Sequence, residues 1–360
     1  NAAMQNEQAN LHCTVSSRLT TVVGPSTTIA GIFMARAPSF RIGVDLGGTK
    51  IQSVVIDGEG SVIGQARLRT RPEDGYEAVL ERLIDAVDGA RSSAMMRRRE
   101  PATVGIGVPG PVNASTGSVL MAFNLGWGPR PIANDLGMRL GRRVVIGNDV
   151  NLGALGESRF GAAVGCDSVC ALFIGTGLGG AVIINGRVVA GAHGFAGEIG
   201  HIPAPFGDAL CACGRHGCLE TIASKKGIAR YIAAARTRGE ACLLPADDLR
   251  SSQIKTAWDA ECPVTRAAVA TAARGLGWGF ATMGALIDPQ AFILGGGIAE
   301  ALGPTLLPAV AAHIGEYSTF YQRHSPSLRL ASLGDYAVAV GAAVAAESGS
   351  SGAFAHGAAA

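Results

Sequence analysis

The sequence predicts an α/β protein built from two related halves, and three observations support this prediction. Apolar strand patterns alternate with helical patterns from Phe40 onward. A strand, a Gly-rich loop, a second strand, an Asx-Gly turn and a third strand occur in that order twice, which indicates an internal duplication. Glycine supplies 51 of the 360 residues and clusters where predicted strands end, as backbone in a tight turn or beside a phosphate requires.

The first copy of this unit is predicted between residues 40 and 65. A strand at 40–44 leads into a glycine-rich loop, and strands at 51–56 and 61–65 follow, separated by an Asp-Gly turn. In the loop, Thr49 adds a hydroxyl donor to backbone N–H groups that can face an anion, and Asp45 could hold Mg²⁺. A tight hairpin without a ligand is the alternative. The candidate residues of this loop are Asp45, Gly47, Gly48, Thr49 and Lys50.

The chain between the two copies is predicted to contain a helix at 76–90, a buried strand at 103–108, a strand at 144–146 and a helix at 151–159. Asn148 and Asp149 stand where the last of these strands meets the helix. One interpretation is a helix N-cap. The other is an acid that projects from a strand end into a cleft and accepts a proton from an attacking hydroxyl.

The second copy is predicted between residues 168 and 190. Its loop, Gly175-Thr176-Gly177-Leu-Gly-Gly180, formally matches the G-x-G-x-x-G pattern of dinucleotide-binding proteins. That motif requires a helix after the loop, whereas here strands at 181–184 and 187–190 follow, joined by an Asn-Gly turn. The loop is therefore predicted to be a second phosphate loop that faces the first one.

The C-terminal part is predicted to be mainly helical, with helices at 222–236, 264–287 and 337–347. A strand at 291–294 runs into Gly295, Gly296 and Gly297, and a further helix is predicted directly after them. These glycines could let an adenosine lie against the backbone, or they could serve close packing of a strand and a helix.

Three cysteines and a histidine form the most specific pattern in the sequence. Cys211, Cys213 and Cys218 follow His201 closely, and this Cys₃His set is typical of structural zinc. His193 and His216 are alternative ligands, but we prefer His201 because it adjoins Glu198 in the run Gly-Glu-Ile-Gly-His. Glu198 and Glu220 flank the metal set without being needed to complete it.

Composition excludes several classes of protein. The net charge of +2 gives no basic patch of the kind that nucleic-acid binding needs. The five other cysteines follow no disulfide spacing, which favours a reducing cytoplasm. We expect no membrane span, since no uninterrupted apolar run reaches about 18–20 residues. Residues 1–38 are predicted to be a disordered extension, and residues 348–360 a flexible tail.

These motifs together resemble the ROK family of bacterial sugar kinases and repressors, in the actin/hexokinase-like ATPase superfamily. The resemblance runs from about Phe40 to Glu347 and rests on both phosphate loops and on the segments 194–201 and 211–220. It implies a two-lobed actin-like ATPase (ribonuclease H-like) fold with duplicated β-hairpin phosphate loops and a zinc site. The smaller lobe would be 39–147, completed by the helix at 337–347, and the larger lobe would be 148–336.

The resemblance also implies roles for individual residues. Asp149 would be the catalytic base, and zinc would be held by His201, Cys211, Cys213 and Cys218. ATP with Mg²⁺ would bind at the two loops, through Gly175, Thr176 and Gly177 in the second, and its adenosine at Gly295–Gly297. The residues expected to contact a hexose are Gly110, Asn124, Asn148, Asp149, Glu198, His201 and Glu220.

The activity that the resemblance implies is ATP-dependent phosphorylation of a hexose, most simply glucose at its 6-hydroxyl, by a cytoplasmic homodimer. Kinases for fructose, mannose, allose, N-acetylglucosamine or N-acetylmannosamine share these motifs, and a polyphosphate-dependent glucokinase is a further alternative. A repressor is less favoured, because the 39 residues before the first strand lack the helical periodicity of a winged helix-turn-helix.

Overall fold

The computed structural model of this chain describes residues 40–96, 103–245 and 249–355, and within these the side chains of residues 349–352 and 355 are not described. The strands are β1 Arg41–Leu46, β2 Lys50–Ile56, β3 Val62–Arg69, β4 Thr103–Val108, β5 Val112–Asn113, β6 Ser118–Val119, β7 Arg143–Asn148, β8 Val169–Ile174, β9 Leu178–Ile184, β10 Arg187–Val189, β11 Ala291–Gly295, β12 Ser327–Leu330 and β13 Phe354–Ala355. The helices are α1 Tyr76–Ser93, α2 Ile132–Leu140, α3 Asp149–Phe160, α4 Lys225–Thr237, α5 Ser251–Asp259, α6 Pro263–Ile287, α7 Gly297–Tyr317 and α8 Ala337–Ala353.

Two mixed sheets carry the predicted duplication. The first has the order β3-β2-β1-β4-β7, and the second β12-β11-β8-β9-β10-β13. In each sheet an antiparallel meander (β1-β2-β3 and β8-β9-β10) continues into parallel strands through its first member. Each predicted phosphate loop is thus the turn between the first two strands of its meander. The predicted strands and helices are confirmed, whereas α2, α5, β12, β13 and the small β5-β6 sheet were missed.

Helix α8 packs unusually close to the first sheet. A Cβ at Gly43 would lie 1.8 Å from Ala339 O, and one at Gly105 would lie 1.8 Å from Ala342 O. Gly43 and Gly105 are register partners on β1 and β4, so the two glycines together make the groove for the helix. A larger residue at either position would push α8 away from the sheet.

Helix α8 also crosses α3, which follows β7. A Cβ at Gly341 would lie 1.7 Å from Leu152 O, and one at Gly156 would lie 2.5 Å from Ala337 O. The same region of buried side chains includes Val145 of the first sheet and Ile293 of the second. Helices α3 and α8 therefore connect the two sheets through a shared core, and α3 carries Asp149 at its first position.

The expectation of a flexible tail from residue 348 is wrong for residues 348–355. Helix α8 continues to Ala353, and Phe354 on β13 pairs with Val188 on β10. The Phe354 side chain is 1% exposed, so burial of this aromatic ring holds the segment in place. The predicted extension at 1–38 and the end of the predicted tail, 356–360, lie outside the described residues.

Helix α7 is long and apolar enough to cross a membrane, with a mean hydropathy of 1.2 over its best window. Length and composition alone are weak evidence for a membrane span, because a helix packed in a protein core passes the same test. In the fold, α7 packs against α5, α6, β11 and β12. Its buried side is formed by Ile298, Leu302, Leu306, Val310 and Ile314. A helix inside a hydrophobic core has the same composition.

Candidate active site

Asn148 and Asp149 lie where β7 ends and α3 begins. The Asn148 side chain caps α3, because its Oδ1 accepts a hydrogen bond from the Asn151 N–H at 3.1 Å. Its Nδ2 donates to Gly110 O at 3.1 Å and to Asp149 Oδ1 at 3.0 Å. The N-cap interpretation is therefore confirmed for Asn148, and the same side chain orients the neighbouring acid.

The Asp149 carboxylate is half-buried, and hydrogen bonds to its Oδ1 fix its orientation. Its Oδ1 also accepts from the Val150 N–H at 2.9 Å, so two hydrogen bonds hold this oxygen. Burial and the nearby charge of Glu198 raise the pKa of Asp149 to about 6, against the opposing effect of these hydrogen bonds. A carboxylate with this pKa is ionised at neutral pH and can still accept a proton.

The first loop places a second acid close to Asp149. Burial, and then the charge of Asp149, raise the pKa of Asp45 to about 7, while Lys50 acts in the opposite direction. Lys50 Nζ forms an ion pair with Asp335 at 2.8 Å. Two acids in one half-buried place repel each other unless a cation lies between or beside them. The donor set is thus suited to a hydrated divalent cation at Asp45.

The segment that carries Asn124 lies between the first predicted phosphate loop and the turn at Gly110. A Cβ at Gly48 would lie 3.0 Å from Asn124 O, so the exposed Asn124 lies directly beside this loop. Gly110 has φ +88°, and a Cβ there would lie 2.3 Å from Met121 O. A side chain at Gly110 would therefore displace the segment that carries Asn124.

The second loop is held by an acid, Glu220, that lies outside the duplicated unit. The Leu178 N–H donates to Glu220 Oε2 at 3.0 Å, and a Cβ at Gly177 would lie 2.2 Å from the same oxygen. On the other side, the Lys225 N–H at the start of α4 donates to Gly175 O at 3.0 Å. A side chain at Gly177 would therefore have to displace the Glu220 carboxylate, and the loop is held by hydrogen bonds on both sides.

The third glycine cluster adjoins the second loop. Gly295 pairs with Phe173 at the end of β8. Gly296 has φ +88°, and a Cβ there would lie 2.6 Å from Ile174 O. A Cβ at Gly297 would lie 3.0 Å from Ser251 Oγ at the start of α5. The close-packing interpretation is thus confirmed, and the cluster also lies next to the predicted phosphate loop.

The four predicted metal ligands come together. The ligand atoms of His201, Cys211, Cys213 and Cys218 all lie within 4.8 Å of one another. Cys211 Sγ is 3.6 Å from His201 Nδ1, and Cys213 Sγ is 3.6 Å from Cys218 Sγ. Tetrahedral zinc with ordinary Zn–S and Zn–N bonds separates its ligand atoms by about 3.5–3.8 Å, so the side chains fit this ion.

The alternative histidine ligands are not in the cluster. His216 Nδ1 is instead 2.9 Å from Asp208 O, and His193 is exposed. The other nitrogen of His201, Nε2, lies 3.9 Å from Glu198 Oε2. Burial raises the pKa of Glu198, and His201 opposes this effect. A histidine that binds metal through Nδ1 can thus offer its Nε2–H to Glu198 or to a bound hydroxyl.

Sequence reasoning missed two residues that contact the predicted phosphate loops and a third, Glu157, that is buried in α3. Asp335 pairs with Lys50 but lies in a short turn before α8 that matches no motif. Lys225 supplies a backbone donor to the second loop. Glu157 of α3 is fully buried and accepts from the Ala162, Ser332 and Leu333 N–H groups. The one signal in the sequence that could have identified Glu157 is a carboxylate at a position where the helical pattern predicts burial.

The chain was compared with protein families and with known proteins. A family model described as "ROK family" matches residues 41–348. A glucokinase of Halalkalibacterium halodurans is 33% identical over 306 residues, which cover 83% of this chain and 92% of that protein. A xylose repressor of Caldicellulosiruptor bescii is 31% identical over 304 residues, covering 83% of this chain and 76% of the repressor.

A solved structure agrees with both the sequence match and the fold. The crystal structure of a ROK family glucokinase from Streptomyces griseus in complex with glucose and AMPPNP has a TM-score of 0.74 and 34% identity. It covers 86% of this chain and 100% of that one. On the family match, these relatives and the fold, this chain belongs to the ROK family of the actin/hexokinase-like ATPase superfamily.

Proposed function

We propose that the chain is an ATP-dependent hexose kinase that phosphorylates glucose at its 6-hydroxyl. The observation that carries this proposal is the position of Asp149. Its carboxylate has a pKa of about 6, and Asn148 and Val150 donate hydrogen bonds to its Oδ1. The charge of Glu198 raises the pKa of Asp149, and the charge of Asp149 in turn raises the pKa of Asp45. Glu198 belongs to the proposed sugar side and Asp45 to the proposed nucleotide side, so Asp149 lies where the two substrates would meet.

The proposed reaction is a direct phosphoryl transfer. Asp149 accepts the proton of the sugar 6-hydroxyl as the hydroxyl oxygen bonds to the γ-phosphorus of ATP, and ADP leaves. In a loose transition state the proton moves late, so a carboxylate of ordinary basicity is sufficient. Asn148 keeps Asp149 in position through its hydrogen bond to Oδ1. The remaining hydroxyls would be held by Asn124, Asn148, Glu198, His201 and Glu220, with Gly110 closing the side next to Asn148.

The nucleotide is proposed to lie between the two hairpin loops. Asp45 would hold Mg²⁺ on the phosphates, and the backbone and Thr49 of the first loop would donate to the phosphate oxygens. Gly175, Thr176 and Gly177 would line the opposite side. The adenosine would lie against Gly295, Gly296 and Gly297, whose cluster adjoins the second loop through β8.

We also propose that His201, Cys211, Cys213 and Cys218 hold one zinc ion. With four protein ligands, zinc would brace the loops around it rather than act as a Lewis acid, because no open position is left. The bracing would reach the second phosphate loop, since Glu220 Oε1 lies 3.8 Å from Cys211 Sγ while Oε2 accepts from Leu178. The fixed His201 ring would present Nε2 to the sugar.

Similarity to a xylose repressor supplies the competing function, a sugar sensor without catalysis. A sensor needs a sugar site but neither a general base nor a cation ligand. The chain has both Asp149 and Asp45, with raised pKa values that a sugar-binding role alone does not require. This favours the kinase, in agreement with the two glucokinase relatives.

The test is phosphorylation of a sugar panel by the purified chain. Glucose, fructose, mannose, allose, N-acetylglucosamine and N-acetylmannosamine would each be supplied with Mg²⁺ and either ATP or polyphosphate, and the sugar phosphate measured directly. We expect glucose with ATP to give the highest kcat/KM. Another preferred sugar or donor would change the substrate assignment and leave the kinase class intact.

Calorimetry on the same preparation separates a kinase from a sensor. Sugar binding without turnover for every sugar and both donors would contradict the kinase proposal and support a sensor. The Asp149→Asn variant supplies the background rate, since it keeps the shape of the side chain but cannot act as the base.

A further inference from the structure

A second group of thiols lies outside the proposed active site. Cys242 follows α4, and Cys262 is the N-cap residue of α6. Their sulfurs are 3.7 Å apart although the residues are 20 positions apart in the sequence. Cys242 Sγ is also 3.8 Å from Thr265 Oγ1. Cys262 is buried, and Cys242 is half-buried, so one member of the pair can be reached from solvent.

This pair lacks the ligands that a metal would need. Among the described residues, only His201, Cys211, Cys213 and Cys218 bring three or more metal-binding side chains together. Structural zinc requires four ligands, and the pair supplies two sulfurs with a threonine hydroxyl. Two thiols in contact with no further ligand are instead suited to a disulfide.

The sulfurs need to move only a short way to bond. A disulfide has an S–S length of about 2.0 Å, so the two sulfurs would approach by roughly 1.7 Å, a distance that rotation about the Cα–Cβ bonds can supply. Cys262 is the N-cap residue of α6 and Cys242 lies in the segment between α4 and α5, so neither residue is inside a helix. The backbone on at least one side of each sulfur can therefore adjust.

The surroundings of Cys262 also favour reaction. Burial on its own would raise the pKa of this thiol. Hydrogen-bonding interactions with the Thr265 hydroxyl, with the backbone N–H groups of Leu243 and Thr265, and with Cys242 more than offset the burial and lower the pKa to about 7. A thiolate is the form that attacks a disulfide, so a sizeable fraction of Cys262 is ready to react at neutral pH.

We propose that Cys242 and Cys262 are a redox-active pair that closes to an intramolecular disulfide by exchange with a small-molecule disulfide. The Cys242 sulfur attacks one sulfur of the small disulfide, RSSR, which gives a mixed disulfide and releases RS⁻. The Cys262 thiolate then attacks Cys242 Sγ, forms the internal S–S bond and releases a second RS⁻. The two protein thiols are oxidised, RSSR is reduced to two thiols, and the two thiol protons pass to the released thiolates.

The bond would constrain the segment that contains α5. This helix starts at Ser251, whose Oγ lies 3.0 Å from the position a Cβ would take on Gly297, and it packs against α6 and α7. A disulfide between Cys242 and Cys262 would thus close a loop that contains α5, and the start of α5 lies beside Gly297 of the proposed adenosine site. We infer that oxidation weakens binding of Mg²⁺–ATP more than binding of sugar, an inference that rests on the proposed nucleotide site.

The experiment starts with the reduced, zinc-loaded protein and oxidised glutathione at neutral pH. Free thiols are then alkylated, and the digested peptides are mapped by mass spectrometry without reduction. We expect a peptide cross-linked between Cys242 and Cys262, the loss of two alkylation sites, and reversal by reduced glutathione. Because the map assigns each thiol separately, reactions at the zinc ligands are scored on their own.

Serine variants test the order of the steps. Cys262→Ser should trap glutathione on Cys242, Cys242→Ser should give no cross-link, and Cys166→Ser, at a half-buried thiol elsewhere, should leave the cross-link unchanged. Stable glutathione adducts on wild-type Cys242, or no greater reaction at the pair than at Cys166, would overturn the proposed pair.

Binding of Mg²⁺ with a non-hydrolysable ATP analogue, measured before and after oxidation, tests the link to the nucleotide. Equal affinities in the cross-linked and reduced protein would overturn that link. If the protein phosphorylates sugar but forms no cross-link, the redox inference fails and the proposed function stands. If the cross-link forms in a protein without turnover, the proposed function fails and the redox pair stands.

Discussion

The two hairpin loops have the same backbone plan but are held in place by different means. The first loop carries its own charges, Asp45 and Lys50, and is linked to a distant turn by the Lys50–Asp335 ion pair. The second loop has no charged side chain and is held by Glu220 and by the start of α4. The duplicated unit thus supplies two similar hairpin loops, of which the first carries charges of its own and the second is held by residues outside the unit.

The difference reaches beyond the loops themselves. Asp149 lies at the end of β7, in the same sheet as the first loop, whereas Glu220 joins the second loop to the cysteine cluster. We therefore expect changes on the side of the first loop to alter catalysis and charge. Changes on the side of the second loop should alter metal content, rigidity and sugar affinity.

The largest expected effect comes from Asp149→Asn. Loss of a general base lowers turnover by about 10²–10⁴-fold, while sugar affinity should change much less because Asn keeps the shape of the side chain. Steady-state kinetics and calorimetry with the preferred sugar measure the two quantities. Asp167→Asn, the same change at an exposed position before β8, is the control. Retention of more than a tenth of wild-type kcat would remove Asp149 from the mechanism.

The next effect concerns the side of the second loop. Cys213→Ser should reduce bound zinc from about one equivalent per chain to a small fraction, because four ligands complete the structural site. Loss of the brace should also lower the melting temperature and weaken sugar binding. Metal analysis together with thermal unfolding checks this, with Cys166→Ser as the matched thiol control. Active wild-type enzyme that contains no zinc would show that the cluster does not work as proposed.

Glu220→Gln separates the two roles open to this residue. A charge-assisted hydrogen bond to a sugar hydroxyl contributes about 1.5–3 kcal/mol, so we expect the sugar KM to rise about tenfold or more. The amide oxygen of Gln can still accept from the Leu178 N–H, so the ATP KM should stay nearly constant.

Glu220→Ala is the companion variant, since it removes the acceptor for the Leu178 N–H altogether and should raise the ATP KM as well. If Glu220→Gln lowers the melting temperature but leaves the sugar KM unchanged, Glu220 is only a brace.

The sequence predicted the parts of this comparison that depend on local pattern. Both hairpins follow from strand periodicity and Asx-Gly turns, and the Cys₃His set follows from spacing, because each is contained in a short stretch of chain. The Lys50–Asp335 pair joins residues 285 positions apart, and no local pattern reports such a contact. The predicted tail failed for a similar reason, since Phe354 is held by β10, a strand formed far earlier in the sequence.

The smallest expected effect is on stability, and it tests the charge that distinguishes the first loop. The pKa of Asp45 is about 7 in the folded protein against 3.8 normally. Between these values the folded state binds more protons than the unfolded state, so the free energy of unfolding falls as pH rises toward 7 and stays lower above it. Asp45→Asn removes this penalty.

Without nucleotide and Mg²⁺, Asp45→Asn should therefore have a higher melting temperature than wild type at pH 8, because the variant carries no charge that the folded state disfavours. At pH 4, where Asp45 is protonated in the folded wild type, the difference should nearly vanish. The same variant should lose activity, because the proposed Mg²⁺ ligand is gone. Differential scanning calorimetry at both pH values measures the shift, and Asp167→Asn is again the control. If the variant is less stable than wild type at pH 8, the negative charge of Asp45 does not destabilise the folded state.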